Sequence, residues 1–210
     1  MAEISAALVK QLRDKTGAGM MECKRALDEA KGDLAEAEVV LRKKGIASAA
    51  KRQGRAARSG AIGTYIHPGN QLGVLIEVNC ETDFVARTDG FQELVKDLAM
   101  QVAAADPKYL RREEVPAEVL QKEKEIAGDR ARNEGKPEKV IERIVEGRIS
   151  KYYEEACLYD QPFIKDNTLT IEQLIKTNIS KMQENIAIAR FVRFKVGETA
   201  AAATTEEAAQ

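Results

Sequence analysis

Tryptophan is absent from the 210 residues, and aromatic side chains of all kinds make up only 5% of them. An interior without large rings has to be filled by aliphatic side chains, which suits a helix-rich protein. The same shortage removes the stacking platform on which single-stranded nucleic acids rest. An excess of either charge is missing too: 33 basic and 34 acidic residues leave a formal net charge of -1. Proteins that live on nucleic-acid phosphates carry a basic surplus, so a dedicated DNA or RNA binder is disfavoured. Three cysteines, Cys23, Cys80 and Cys157, stand far apart with no CxxC or Cys/His spacing. That speaks against a disulfide framework and a metal site, and for reduced thiols. No apolar run approaches the ~18 residues of a membrane span. Met1-Ala2-Glu3-Ile4 does not begin a signal peptide. The expected location is the cytoplasm.

Catalytic patterns are equally scarce. His67 is the only histidine and lies beside Pro68-Gly69, where a surface or packing role is the plain reading. Cys80 has no neighbouring base to form a thiolate, so a buried structural thiol is expected. No G-x-S-x-G, H-E-x-x-H or Walker A pattern occurs. A small enzyme built on Cys80 or His67 therefore lacks a base–nucleophile pair, and catalysis by this chain alone is not expected.

What is present organises the chain into helices, a hairpin, more helices and a strand. Hydrophobic residues are 44% of the total, enough for a packed core. Residues 1–46 read as three short helices. Ile4, Ala7, Leu8 and Leu12 form the first stripe. Met20, Cys23, Leu27 and Ala30 form the second, which stops at Gly32. The third starts at Asp33-x-x-Glu36, carries Leu34, Ala37, Val40 and Leu41, and ends at Gly45. Residues 47–59 read as a basic, flexible linker; from Arg42 to Arg58 there are seven basic residues and no acidic one. Such a stretch is either a solvated connection or a patch for RNA or an acidic partner.

A hairpin follows, Gly60–His67 and Leu72–Asn79, with Pro68-Gly69 at the centre of a type II turn. Asp89 and Gln92 suggest the cap of a helix carrying Phe91, Leu94, Val95, Leu98, Ala99 and Val102. Pro116, Asn133-Glu134-Gly135 and Pro137 punctuate a helical hairpin over 116–156, with Val119, Leu120 and Ile126 on its first helix. Its second helix places Val140, Ile141, Ile144, Val145, Ile149 and Tyr152 toward a core. Thr170 and Gln173 begin a further helix. Ile188, Val192, Phe194 and Val196 then alternate along a last strand. The fold class is α+β, with a small three-stranded antiparallel sheet packed with helices in a core spanning 60–197. The Ala/Thr/Glu-rich tail, 198–210, is expected to be disordered.

Two features do not fit a purely structural account. Adjacent Met20 and Met21 point about 100° apart on a helix, so both cannot enter one small core. Phe84 lies within an acid-rich segment, Glu77 to Arg87, where it either folds under the next helix or projects as an anchor for another protein.

These two stretches, Leu12-Arg13-Asp14-Lys15-Thr16-Gly17-Ala18-Gly19-Met20-Met21-Glu22-Cys23-Lys24-Arg25-Ala26-Leu27 and Glu77 to Arg87 around Thr-Asp-Phe-Val, resemble the two signatures of elongation factor Ts. The similarity continues through Asn133 to Pro137, Gln161-Pro162-Phe163 and Phe191-Val192-Arg193-Phe194. The resemblance implies an N-terminal three-helix, ubiquitin-associated-like domain joined to an α+β core. It also implies a guanine nucleotide exchange factor that acts on elongation factor Tu in its GDP-bound and nucleotide-free forms. Arg13, Met20 and Met21 would dock on the partner's nucleotide-binding domain. Thr82, Asp83, Phe84 and Val85 would form the loop that disturbs its magnesium site, with Phe84 entering between helices. The magnesium and nucleotide belong to the partner, so no cofactor or metal is expected here. Longer members carry two related core subdomains and a longer coiled-coil insertion. This chain has room for one core unit, and a homodimer with facing sheets is expected, as in shorter members.

Overall fold

The structure, a computed structural model, describes residues 4–198, the side chain of Ile46 excepted; all but the first residue of the expected tail therefore lies outside the described residues. In chain order the elements are α1 (Ala6–Thr16), α2 (Met20–Glu29), α3 (Leu34–Arg52), β1 (Ser59–Ile66), β2 (Leu72–Cys80), α4 (Asp83–Ala86), α5 (Asp89–Ala105), α6 (Ala117–Asn133), α7 (Glu138–Ala156), β3 (Pro162–Phe163), β4 (Asp166–Thr170), α8 (Ile171–Met182) and β5 (Ile186–Lys195). The fold is α+β, with an antiparallel sheet in the order β1-β2-β5. A second, two-stranded sheet pairs β3 with β4. It escapes a reading by periodicity because two residues of β3 cannot show a period.

The chain forms two compact units. The first takes in the residues up to Ala61, Val78–Gln92 and Gln173–Ala187; the second takes in Ile62–Glu77, Glu93–Glu172 and the residues from Ile188 on.

In the first unit, the Ser5 side chain caps α1 and Gly17 ends it in the left-handed conformation (φ 68°), its N–H donating to the Arg13 carbonyl. Asp33 caps α3 as expected, its Oδ1 accepting from the Glu36 N–H at 2.8 Å. Val9, Leu12, Cys23, Ala26, Leu27, Ala30 and Ala37 make a small aliphatic core, with Leu34, Val40 and Leu41 packed against it. Two details differ from the helical-stripe reading. Ala7 is exposed, and Val9 is buried instead. The third helix does not end at Gly45 but runs on to Arg52, so residues 47–52, expected in the linker, are helical. Gly45 is there because α8 passes close by, with Ser180 against it. The α5 cap also differs: Thr88 Oγ1, not Asp89, accepts from a first-turn amide, that of Phe91 at 3.4 Å. Gln92 instead turns back to the Ala86 carbonyl at 2.7 Å.

In the second unit, the Pro68-Gly69 turn is as expected: Asn70 N–H donates to the His67 carbonyl, and Gly69 takes φ 93°. A Cβ on Gly63 would stand 2.4 Å from Val95 Cγ1, so α5 lies directly on β1. Val74 and Ile76 from β2 and Leu94, Val95, Leu98, Ala99 and Val102 from α5 are buried. Each large aliphatic group so buried contributes ~1.5–3 kcal/mol. Gln101 and Gln161 are buried but satisfied: they bond to each other, and Gln161 also donates to the Ala105 and Glu155 carbonyls.

The helical hairpin is present, yet its seam differs from the expected one. Ala127, Gly128 and Ala131 are the buried residues of α6, and Ile126 is exposed. On α7 only Ile141 and the terminal Ala156 are buried, and Val140 is exposed. The small residues of α6 leave room for larger side chains of α7: a Cβ on Gly128 would stand 3.9 Å from Val145 Cγ2. The last strand also departs from a single-faced pattern. Ile186 and Ile188 are buried, but Val192, Phe194 and Val196 are exposed. Beyond Ala189 the half-buried residues are Phe191 and Arg193, and Arg193 reaches the α5 terminus at the Ala103 carbonyl. Among the described residues no helix is long and apolar enough to cross a membrane.

Candidate functional site

The first unit holds both stretches singled out in the sequence, apart from Glu77 at the start of the second. Gly17 closes α1, Gly19 stands at the N-cap of α2, and Met20 and Met21 are the first two residues of that helix. This corner leaves little for the methionines to pack on. Met20 is 51% exposed and Met21 64%. The expected stripe placed Met20 in the core; the structure puts Cys23, Ala26 and Leu27 there and leaves both methionines outside. Arg13, in the last turn of α1, is exposed as well. Flexible thioethers left in water are the kind of side chain that tolerates many neighbours.

Thr82, Asp83, Phe84 and Val85 lie where β2 gives way to α4. Thr82 is the N-cap of this single helical turn, its hydroxyl oxygen accepting from the Val85 N–H at 3.4 Å. Asp83 pairs with Arg87 at 3.0 Å across the turn, both in solvent. Thr88 Oγ donates to the Val85 carbonyl at 2.8 Å. Ala86 is buried and anchors the turn from below. Phe84, by contrast, is 81% exposed, the most exposed of the large hydrophobic residues described. Of the two placements open to Phe84, under the next helix or outward, the structure has the outward one. An isolated ring so far in water has no folding role, since it loses nothing when the chain unfolds.

The residue that sequence reasoning missed is Glu184. Its Oε2 accepts from the Glu81 N–H at 3.1 Å and the Thr82 N–H at 3.0 Å. Its Oε1 accepts from the Thr82 hydroxyl at 2.6 Å. Glu81 answers in the opposite direction, its Oε1 accepting from the Asn185 N–H at 2.7 Å. Asn185 is buried and donates from Nδ2 to the carbonyls of Arg55 and Gln53 at 2.6 and 3.3 Å. No local pattern announces this clasp.

Cys80 lies beneath the turn, its thiol donating to the Thr82 carbonyl at 3.1 Å. Burial, with the charge of Glu184 added, raises its pKa. Such a thiol is a poor nucleophile. His67 is exposed in the second unit, 3.0 Å from the Tyr65 hydroxyl.

Residues 26–198 match the family model described as Elongation factor TS. The chain is 67% identical over 198 residues, 94% of its length and 93% of the relative's, to the Elongation factor Ts of Solibacter usitatus. It is 59% identical over 198 residues to that of Anaeromyxobacter dehalogenans, covering 94% of this chain and 90% of the relative. Against that of Heliobacterium modesticaldum it is 56% identical over 195 residues, covering 93% and 91%. Matches this long and this close mean that the chain belongs to the elongation factor Ts family.

Proposed function

We propose that this chain is a guanine nucleotide exchange factor for elongation factor Tu in translation elongation, a cytoplasmic process. The factor binds the GDP-bound partner, disturbs its magnesium site and leaves a nucleotide-free form that GTP can enter. It makes and breaks no covalent bond, so it is a binding catalyst and not an enzyme. Arg13, Met20 and Met21 dock on the partner, and Thr82, Asp83, Phe84 and Val85 form the intruding loop. The observation that carries this reading is the outward Phe84, 81% exposed on a turn held by hydrogen bonds on both sides.

The physical logic is linkage. A factor that favours nucleotide-free partner weakens GDP binding by the same coupling energy with which GDP weakens its own. GDP is held through its phosphates and Mg²⁺, so displacing the ion exposes the phosphate charges to one another. Each tenfold gain in release rate needs about 1.4 kcal/mol off the barrier. Burying one phenylalanine yields ~1.5–3 kcal/mol, or one to two powers of ten. Docking through the methionine corner supplies the remaining free energy that drives the ring in.

The chain further acts as a homodimer in which two core sheets face each other. Support comes from the outer sheet face of the second unit, where Ile66, Leu75, Phe194 and Val196 line an open apolar groove of about 640 Å³. Phe194 alone is 65% exposed. An apolar face of this kind is better covered than left in water.

Linkage also supplies the test. The chain and nucleotide-free elongation factor Tu are expected to co-elute as a complex on gel filtration, and excess GDP should dissociate it. A complex indifferent to GDP would contradict the exchange reading.

A further inference from the structure

Phe84 projects from a helix of four residues, too short to hold its own shape in water. Something else must keep the ring pointed outward, and the side chain placed to do so is Glu184. It lies 102 positions from Thr82, and both of its oxygens are committed to the turn. Two backbone amides and one hydroxyl donate to it, at 3.1, 3.0 and 2.6 Å. Bonds accepted by a carboxylate are roughly twice as strong as neutral ones. Glu184 also lies two residues past the end of α8, which packs close to the N-terminal helices. A Cβ on Gly17 would be 3.5 Å from Lys181 Cε, and one on Gly45 would be 2.8 Å from Ser180 Oγ. The last turn of α8 and the residues just after it thus lie beside Gly17 at the end of α1, the middle of α3, and the turn carrying Phe84.

We propose that Glu184 is a positioning residue for exchange: it locks the Thr82 turn to the end of α8, so that a partner docked on the N-terminal helices meets Phe84 at a fixed place. This rests on the exchange reading above. A residue in this role acts on the release step and leaves docking nearly intact. A residue that only held the fold together would weaken both alike. The acid is suited to the task because every donor it meets belongs to Thr82 or to Glu81 just before it. Removing it leaves the Glu81 and Thr82 amides without an acceptor and lets the turn sample other orientations, which then have to be lost on binding.

The test titrates the full chain against elongation factor Tu loaded with a fluorescent GDP analogue, and compares Glu184→Ala and Glu184→Gln with the parent. In Glu184→Ala the maximal release rate should fall roughly tenfold, while the half-saturating concentration moves less than about threefold. Glu184→Gln keeps an oxygen for the two amides, so it should recover most of the rate. An unchanged maximal rate in Glu184→Ala would overturn the proposal. So would equal losses in both parameters that glutamine does not repair. If the parent itself failed to accelerate release, the exchange reading would fail, and the positioning claim would be read separately. Amide hydrogen exchange at Glu81 and Thr82 should then speed up at least tenfold in Glu184→Ala, with global unfolding unchanged. Unaltered protection there would sink the clasp on its own terms.

Discussion

Gly45, in the middle of α3, lies so close to Ser180 on α8 that a Cβ in its place would come within 2.8 Å of the serine hydroxyl oxygen. A glycine inside a helix costs ~1 kcal/mol relative to alanine. Here that cost secures a close approach between two helices of one unit. Gly45→Ala should therefore gain little or nothing in stability. In a Ser180→Ala background the same change should stabilise by up to ~1 kcal/mol, because the clash is gone and the propensity gain remains. Urea unfolding of the four proteins in the cycle checks this. A stabilising Gly45→Ala in the parent background would show that the contact is slack.

Gly45 also marks where the sequence stops being legible. A glycine after an apolar stripe reads as a helix end when only the local pattern is known. The neighbour that the glycine makes room for is 135 positions away in chain numbering, from Gly45 to Ser180. The same holds for Glu184, whose bonds to the Thr82 turn cross a similar gap. By contrast, the Asp33 cap, the Pro68-Gly69 turn and the α5 stripe rest on residues within a few positions of one another, and all three are as the sequence implies. Phe84 falls between these cases. Its position at a strand end narrows it to two readings, and only its surroundings decide which.

Phe84 and Phe91 offer a direct contrast seven residues apart. Phe91 is fully buried and Phe84 is 81% exposed. Phe91→Ala should cost ~3–5 kcal/mol of folding stability. Phe84→Ala should shift stability by no more than ~0.5 kcal/mol. Denaturation midpoints measured side by side distinguish them, and a large loss in Phe84→Ala would mean the ring is covered in solution.

The three thiols should be quiet in the native state. Cys23, Cys80 and Cys157 are free and buried. Burial raises all three pKa values, and for Cys157 it does so from 9.0 to about 11, with Asp160 adding to the effect. An acid whose pKa is raised by folding keeps its proton longest in the folded state. The unfolded thiol therefore ionises first, and stability falls as pH climbs from about 9 towards 11. Below that window the thiol contributes no pH dependence. Iodoacetamide at about pH 8 should label the native chain slowly and the guanidinium-unfolded chain fast. Rapid native labelling would contradict the burial.

The groove lined by Leu75 and Phe194 separates a dimer from a monomer. A charge introduced there, as in Leu75→Glu or Phe194→Asp, should convert a dimeric mass in sedimentation to a monomeric one while leaving the circular dichroism unchanged. Both residues are exposed in the single chain, so neither change removes core packing. A parent chain that is already monomeric at micromolar concentration would remove the basis for the facing sheets.

On the proposed function, an outward phenylalanine on a clamped turn drives GDP from elongation factor Tu. The most direct measurement follows release of a fluorescent GDP analogue from a bacterial elongation factor Tu with catalytic amounts of the parent chain, Phe84→Ala or Met20→Ala. The parent should accelerate release. Phe84→Ala should lose one to two powers of ten at saturation, the worth of burying one ring, and Met20→Ala should require a higher concentration to reach half its maximal rate. Release unaffected by the folded parent chain would contradict the account.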